Sequence, residues 1–189
     1  MTLVEGAAGV HRISFNAGDR GGWRMAEIRP VTGPGLAPFA RLEAFAPSEL
    51  PGAIWCLSGV SSHQRYTTRD EAGMMAARPA PLGRPDSRRA ALIPIRKSPA
   101  WWTLAQDERR AIFQESSGHI TIGMDYVPGV ARFLIHCRDT GGPFDFLTWF
   151  EFDESAEAAF DEMLTRLRAT EEWRYVEREV DVRLVRAEG

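Results

Sequence analysis

From residue 91 onward the chain falls into the order strand, helix, strand, strand, helix, strand, and that order leaves few folds open. Ala91-Leu92-Ile93-Pro94-Ile95 is a short apolar run that reads as a strand, with Pro94 putting it at an edge or a bulge. Residues 104–123 read as a helix. Residues 131–139 and 144–152 read as a β-hairpin around Thr140-Gly141-Gly142-Pro143. Residues 155–170 give the strongest signal, because Ala156, Ala159, Phe160, Met163, Leu164 and Leu167 form one apolar stripe at helical spacing. Residues 174–185 then alternate Val176, Val180, Val182 and Leu184 with Glu177, Glu179, Asp181 and Arg183. That alternation predicts one buried and one solvated face. The order is that of a ferredoxin-like unit, two helices on one face of an antiparallel sheet, so the fold class is α+β.

Residues 1–90 are poorer in helix and read as a degenerate, strand-rich copy of the same unit, although no sequence repeat marks it. His11-Arg12-Ile13-Ser14-Phe15 alternates and ends in the turn Gly18-Asp19-Arg20-Gly21-Gly22, with 23–31 as its partner strand. Residues 34–51, rich in Pro, Gly and Ala, read as irregular. Residues 53–67 read as a long strand, and 70–85 as a loop with one helical turn near Met74-Met75. His11 and His63 read as exposed or strand-capping residues. The division is therefore 1–90 and 91–189.

A chain of 189 residues with 44% hydrophobic residues can build a real core. The net charge of −3, with no basic block, argues against nucleic acid as a partner. Cys56 and Cys137 have neither metal-ligand spacing nor a disulfide framework and read as buried thiols. No signal peptide or membrane-spanning run is evident, so a soluble, cytoplasmic protein is expected.

Three residues stand out chemically. His119 lies in Ser116-Ser117-Gly118-His119-Ile120-Thr121-Ile122-Gly123, with small residues near it. A neutral imidazole can bind a haem iron, a carboxylate can orient it, and an arginine can hold an anion on the iron's far face. Spacing alone leans to a core or capping histidine with Glu115 as its partner. Arg132 shares a strand face with Leu134 and His136. A buried arginine there needs an anion or a wet cavity, whereas one at a strand end can be a surface residue. Phe144, Phe146, Thr148, Phe150 and Phe152 share a face that suits a flat ligand or simply the sheet core. Glu172 closes the second helix, and spacing does not prefer it to Glu171.

The strings Ile-Pro-Ile-Arg-Lys-Ser-Pro-Ala-Trp-Trp (93–102), Gly-His-Ile-Thr-Ile-Gly (118–123), His-Cys-Arg-Asp (136–139), Phe-Asp-Phe-Leu-Thr-Trp-Phe-Glu (144–151) and Thr-Glu-Glu-Trp-Arg-Tyr-Val-Glu-Arg-Glu-Val-Asp (170–181) are each modest signals. In this order and spacing the chain resembles the chlorite dismutases, most closely their short, dimeric, cytoplasmic branch. The resemblance implies two ferredoxin-like halves of the dimeric α/β barrel type, with haem b in the C-terminal half. It implies His119 as the iron ligand, Glu172 as the acceptor of its other ring N–H, and Arg132 as the catalytic distal arginine. Thr148 and Phe150 would line the distal pocket, with Val127 near its entrance. Trp101 and Trp102 would flank the haem. Lys97 would contact a propionate or stand in solvent. The implied reaction converts chlorite to chloride and dioxygen, through an oxo-ferryl haem that recombines with hypochlorite, in a homodimer.

Two other readings differ in residues. The related coproheme decarboxylases carry a reactive tyrosine where this chain has Ile93, and lack a match to Arg132. A haem carrier or sensor would use His119 but has little need of a cation above the iron. A peroxidase would want a distal histidine, and His136 lies further along the strand than Arg132.

Overall fold

The computed structural model describes residues 12–61, 68–77 and 81–187; His11 and His63 lie outside them. Strands β1 (Arg12–Gly18), β2 (Trp23–Thr32), β3 (Arg41–Ala46) and β4 (Trp55–Val60) precede helix α1 (Arg69–Ala76). Strand β5 (Arg89–Lys97) leads into α2 (Pro99–Thr103), α3 (Gln106–Arg110), a π-helical turn at Ala111–Ser116 and α4 (His119–Met124). Then follow β6 (Val130–His136), β7 (Phe146–Phe152), α5 (Glu157–Arg168) and β8 (Val176–Arg186). The strands close into a barrel in the order β1-β3-β2-β8-β5-β7-β6-β4. At the β4–β6 seam Val60 pairs with His136. A Cβ on the neighbouring Gly59 would lie 2.5 Å from the His136 carbonyl oxygen, so only glycine lets the backbones approach there.

Alternation sorts the side chains into two cores. Phe15, Leu42, Leu57, Leu92, Leu147, Trp149, Val180, Val182 and Leu184 share one cluster inside the barrel. Ala91, Ile93, Phe150 and Phe152 face outward from β5 and β7 and meet Phe160, Met163, Leu164 and Leu167 of α5. The apolar stripe read from 155–170 is therefore the packing face of α5. Each of these buried side chains contributes about 1.5–3 kcal/mol relative to exposure. The ring of Phe160 stacks on Phe152 with centroids 4.5 Å apart.

Several sequence expectations change. Strand β1 pairs with β3 and β4, not with β2, so 23–31 is not its hairpin partner. Strand β3 forms within 34–51, where the dense Pro and Gly hid a six-residue strand. Residues 69–76 make a full helix where a single turn was expected. Strand β5 is no edge: it pairs with β7 and β8. Its ladder to β8 steps from Leu92↔Val182 to Ile95↔Glu179, passing over Pro94, which has no N–H to donate. Phe144 precedes β7 and joins the barrel interior, away from Phe150 and Phe152.

Of the charged face of β8 only Glu177 is exposed; from Glu179 onward it is not solvated. Glu179 and Asp181 have no exposed surface and Arg183 only 8%, because α5 covers them. They survive burial by pairing. Arg168 Nη2 lies 2.7 Å from Glu179 and 3.1 Å from Asp181, and Arg183 holds Asp181 and Asp161.

Helix α1 is tied to α3 by a two-pronged bridge, Arg110 Nη1 and Nη2 donating to Glu71 at 2.8 and 2.7 Å. The Arg110 hydrogen bonds hold the Glu71 carboxyl down to about 2. A lowered carboxyl stabilises the fold above its unfolded pKa, near 4.5, and that stability is lost as pH falls toward about 2. Urea unfolding at pH 5 and pH 2.5 should therefore show a larger acid loss in the wild type than in Arg110→Gln. Equal losses would mean the bridge does not couple to folding.

Candidate active site

The helical segment between β5 and β6 breaks at Ser117-Gly118, contrary to the single helix read over 104–123. Gly118 takes φ +63°, a left-handed corner that restarts the chain as α4 with His119 at its first position. The corner cancels the helical spacing that would pair His119 with Glu115. Gly118→Ala should cost about 1–2 kcal/mol, the usual penalty of an L residue in that conformation. A lowered urea midpoint would show it, and an unchanged midpoint would mean the corner relaxes.

His119 Nδ1 instead lies 2.7 Å from Glu172 Oε2. Glu172 sits on a 3₁₀ turn at Glu171–Tyr175 that swings it inward to 4% exposure and leaves Glu171 outside. Its backbone N–H donates to Ser117 Oγ at 2.9 Å, tying this turn to the Gly118 corner. Lys97 Nζ donates to the other carboxylate oxygen at 2.7 Å. Lys97 is 4% exposed, so it is neither a solvated lysine nor free to reach outward; its ammonium sits 4.7 Å above the Trp101 ring. Burial by itself would raise the Glu172 carboxyl, but the attraction of His119 and Lys97 holds it at about 2. The ionised carboxylate only accepts, so the shared proton belongs to His119 Nδ1, and Nε2 is the ring nitrogen turned away from Glu172. The imidazole keeps 19% of its side chain exposed. Phe113 lies nearly parallel to it at 4.4 Å between centroids, and Trp173 at 6.3 Å.

On the sheet, Arg132 is cross-strand from Phe150, and Leu134 from Thr148. Val130 and Phe150 pack in the outer cluster, whereas Ile135 and Trp149 fill the barrel. By alternation Arg132, Thr148 and Phe150 therefore all face the helical layer that carries His119. Arg132 is open to solvent, yet protein hems it in closely enough for burial to push its pKa down. Among the described residues no carboxylate or carbonyl pairs with its guanidinium. Val127 is half-buried in the loop from α4 to β6. That loop is gripped by Arg84, which donates to Pro128 O and Gly129 O at 2.9 Å each.

The two tryptophans part company. Trp101 is buried beside Lys97. Trp102 turns to Asp145, donating its indole N–H at 3.2 Å, and takes Arg138 over its ring at 3.8 Å. It lines a separate cavity of about 600 Å³, with Arg96, Arg138, Asp145 and Glu177, which neither His119 nor Arg132 reaches. Ser117, Phe113 and Trp173 were not singled out from sequence. Trp173 had one signal, its place beside Glu172.

Among the described residues no three His, Cys, Asp or Glu side chains cluster as a metal cage. A lone imidazole whose Nε2 has no hydrogen-bond partner among the described residues instead suits an iron that brings its other ligands in a macrocycle, so the residues fit a haem. No helix among the described residues is long and apolar enough to cross a membrane. Cys137 is buried, with its thiol pushed up to about 12 by burial, and Cys56 is half-buried.

The profile of the chlorite dismutase family matches residues 40–187. The dimeric chlorite dismutase of Nitrobacter winogradskyi is 51% identical with a TM-score of 0.89, the match covering 93% of this chain and 99% of that one. An arginine-to-lysine variant of the Candidatus Nitrospira defluvii chlorite dismutase is 25% identical with a TM-score of 0.57, covering 69% of this chain and 54% of that one. Another structure of that enzyme aligns over 94% of this chain and 91% of that one at 16% identity and a TM-score of 0.67, a likeness of fold alone. A profile that spans β3 to β8, with half-identity to a protein of nearly the same extent, leaves one assignment: the chain belongs to the chlorite dismutase family.

Proposed function

We propose that the chain is a haem b enzyme, a chlorite O2-lyase that converts chlorite to chloride and dioxygen, and that it works as a homodimer. The observation that carries the reading is Arg132. It has no carboxylate or carbonyl partner among the described residues and lies on the sheet face that turns toward the helices carrying His119, so its charge is available to an anion. The family assignment supports the same activity, and the dimeric neighbour supports the homodimer. The strand orders support two ferredoxin-like halves, residues 1–90 and 91–189. In the barrel β4-β1-β3-β2 repeats the pattern of β8-β5-β7-β6, with only a turn and a short loop where the first half would need helices.

In this reading the C-terminal half would hold the haem, with residues from the helical layer and from the outer face of β6 and β7. His119 Nε2 holds its iron. Glu172 keeps the ring proton on Nδ1 and makes the imidazole a stronger donor, and Lys97 keeps Glu172 ionised and in place. Bound haem supplies the centre at which the O–Cl bond breaks and the O–O bond forms. Both oxygen atoms of the product come from one chlorite ion, so no outside oxidant or reductant is consumed. Arg132 would draw the chlorite anion to the site and keep it there through its fixed charge and planar hydrogen-bonding fork. Thr148 and Phe150 wall the pocket, and Val127 stands at its entrance. Trp101 would flank the haem on the Lys97 side, whereas Trp102, turned to Asp145 and Arg138, would not. Ile93, buried opposite Thr148, has no phenol and so argues against a coproheme decarboxylase.

The test is dioxygen release when chlorite is added to haem-reconstituted protein, followed with an oxygen electrode. Rapid evolution is expected. Haem bound at His119 with no oxygen evolved would replace this reading with a haem carrier.

A further inference from the structure

The bond from Glu172 grips one edge of the His119 imidazole but does not set the tilt of the ring plane. That tilt matters for any ligand bound at Nε2, and the aromatic neighbours are placed to set it. Trp173 follows Glu172 on the same 3₁₀ turn, so one backbone feature delivers both the carboxylate and the indole. The indole lies 18° from parallel to the imidazole. Its face also carries Lys97 Nζ at 5.4 Å from the ring centroid, so Trp173 lies beside two members of the Lys97–Glu172–His119 chain.

The indole is itself held. Its N–H donates to Glu179 Oε2 at 2.8 Å. The other oxygen of Glu179 accepts from Arg168 Nε and Nη2 at 2.9 and 2.7 Å. Arg168 also bonds Asp181, so the anchor is fixed from α5 and β8 together. Glu179 has no exposed surface. An apolar residue would fill this strand position without the cost of burying a charge, so the carboxylate answers a polar need. Arg168 and the Trp173 N–H are the groups it satisfies.

We propose that Trp173 is a positioning residue for His119, with Glu179 as the buried anchor that fixes the indole. The inference rests on the haem reading for its consequence, but the restraint on the imidazole exists without haem. Trp173→Phe keeps a flat ring and loses the anchored N–H, and Trp173→Leu loses the ring as well. Glu179→Gln keeps an acceptor for the indole.

In haem-free protein, NMR of the His119 ring should show one sharp Nδ1–H signal in wild type and Glu179→Gln. The signal should shift and broaden in Trp173→Phe, and more so in Trp173→Leu. In ferrous reconstituted protein the iron–histidine stretching band, read by resonance Raman, should shift and broaden in the same order. Thermal midpoints are measured alongside. A fall in midpoint with an unmoved ring signal in both Trp173 variants would overturn the proposal and leave Trp173 as packing only. The NMR result stands whether or not chlorite is turned over, so failure of the activity and failure of the positioning role are separate observations.

Discussion

Replacing Glu172 by alanine should unfold the site more than any other single change. The substitution leaves Lys97, 4% exposed, without its carboxylate, and removes the acceptor of the His119 ring proton. Breaking a buried ion pair from one side typically costs about 3–5 kcal/mol, because the remaining charge is stranded away from water. Loss of an orienting carboxylate behind a metal-binding histidine lowers metal affinity by roughly 10–100-fold. The two effects separate in a double variant. Glu172→Ala with Lys97→Met removes the stranded charge and should recover much of the stability, yet not the haem affinity. Urea unfolding reads the first and a Soret titration the second. A single variant within about 1 kcal/mol of wild type would mean that the Lys97–Glu172 pair contributes little, against the usual cost of breaking such a pair.

Arg132→Ala should leave folding and haem binding nearly intact and remove turnover. Arg132 makes no hydrogen bond or ion pair among the described residues and is exposed, so its loss strands no partner. Its contribution is to the reacting anion. Removing one such electrostatic group typically lowers kcat about 10²–10³-fold. Arg132→Lys keeps the charge but not the planar fork, and should fall between. Early inactivation is expected as well, because hypochlorite then escapes before recombining and oxidises the site. Initial rates and total turnovers at the oxygen electrode measure both. Wild-type rates in Arg132→Ala would take the anion role away from this residue.

Legibility differed sharply between the halves. The stripe of α5 was readable because that helix buries one face, and burial imposes a period on the sequence; the hairpin of β6 and β7, buried on both faces of β7, was readable from the Gly-Gly-Pro turn between two apolar runs. The shared face of Arg132, Thr148 and Phe150 followed from the same period and holds in the barrel. Strand β3 was hidden, since its place in the sheet is given by β1 and β2 on either side and not by its own composition. The faces of β8 misled for a related reason: charged residues alternated as if toward water, but α5 lies over them with its own arginine.

By itself the sequence determined which side chains alternate, where the strongest helix lies, and that His119, Arg132 and Glu172 are chemically capable residues. Those properties are local: they depend on period, turn residues and side-chain chemistry. Tertiary structure alone decided that Glu172 and not Glu171 or Glu115 meets His119, and that Lys97 is buried against it. It also decided that Trp101 and Trp102, adjacent in the chain, serve different neighbourhoods. The reason is that a hydrogen bond between residues 53 positions apart depends on how two turns are set against one barrel. A left-handed corner at Gly118 and a 3₁₀ turn after α5 set it, and neither has a period for the sequence to display.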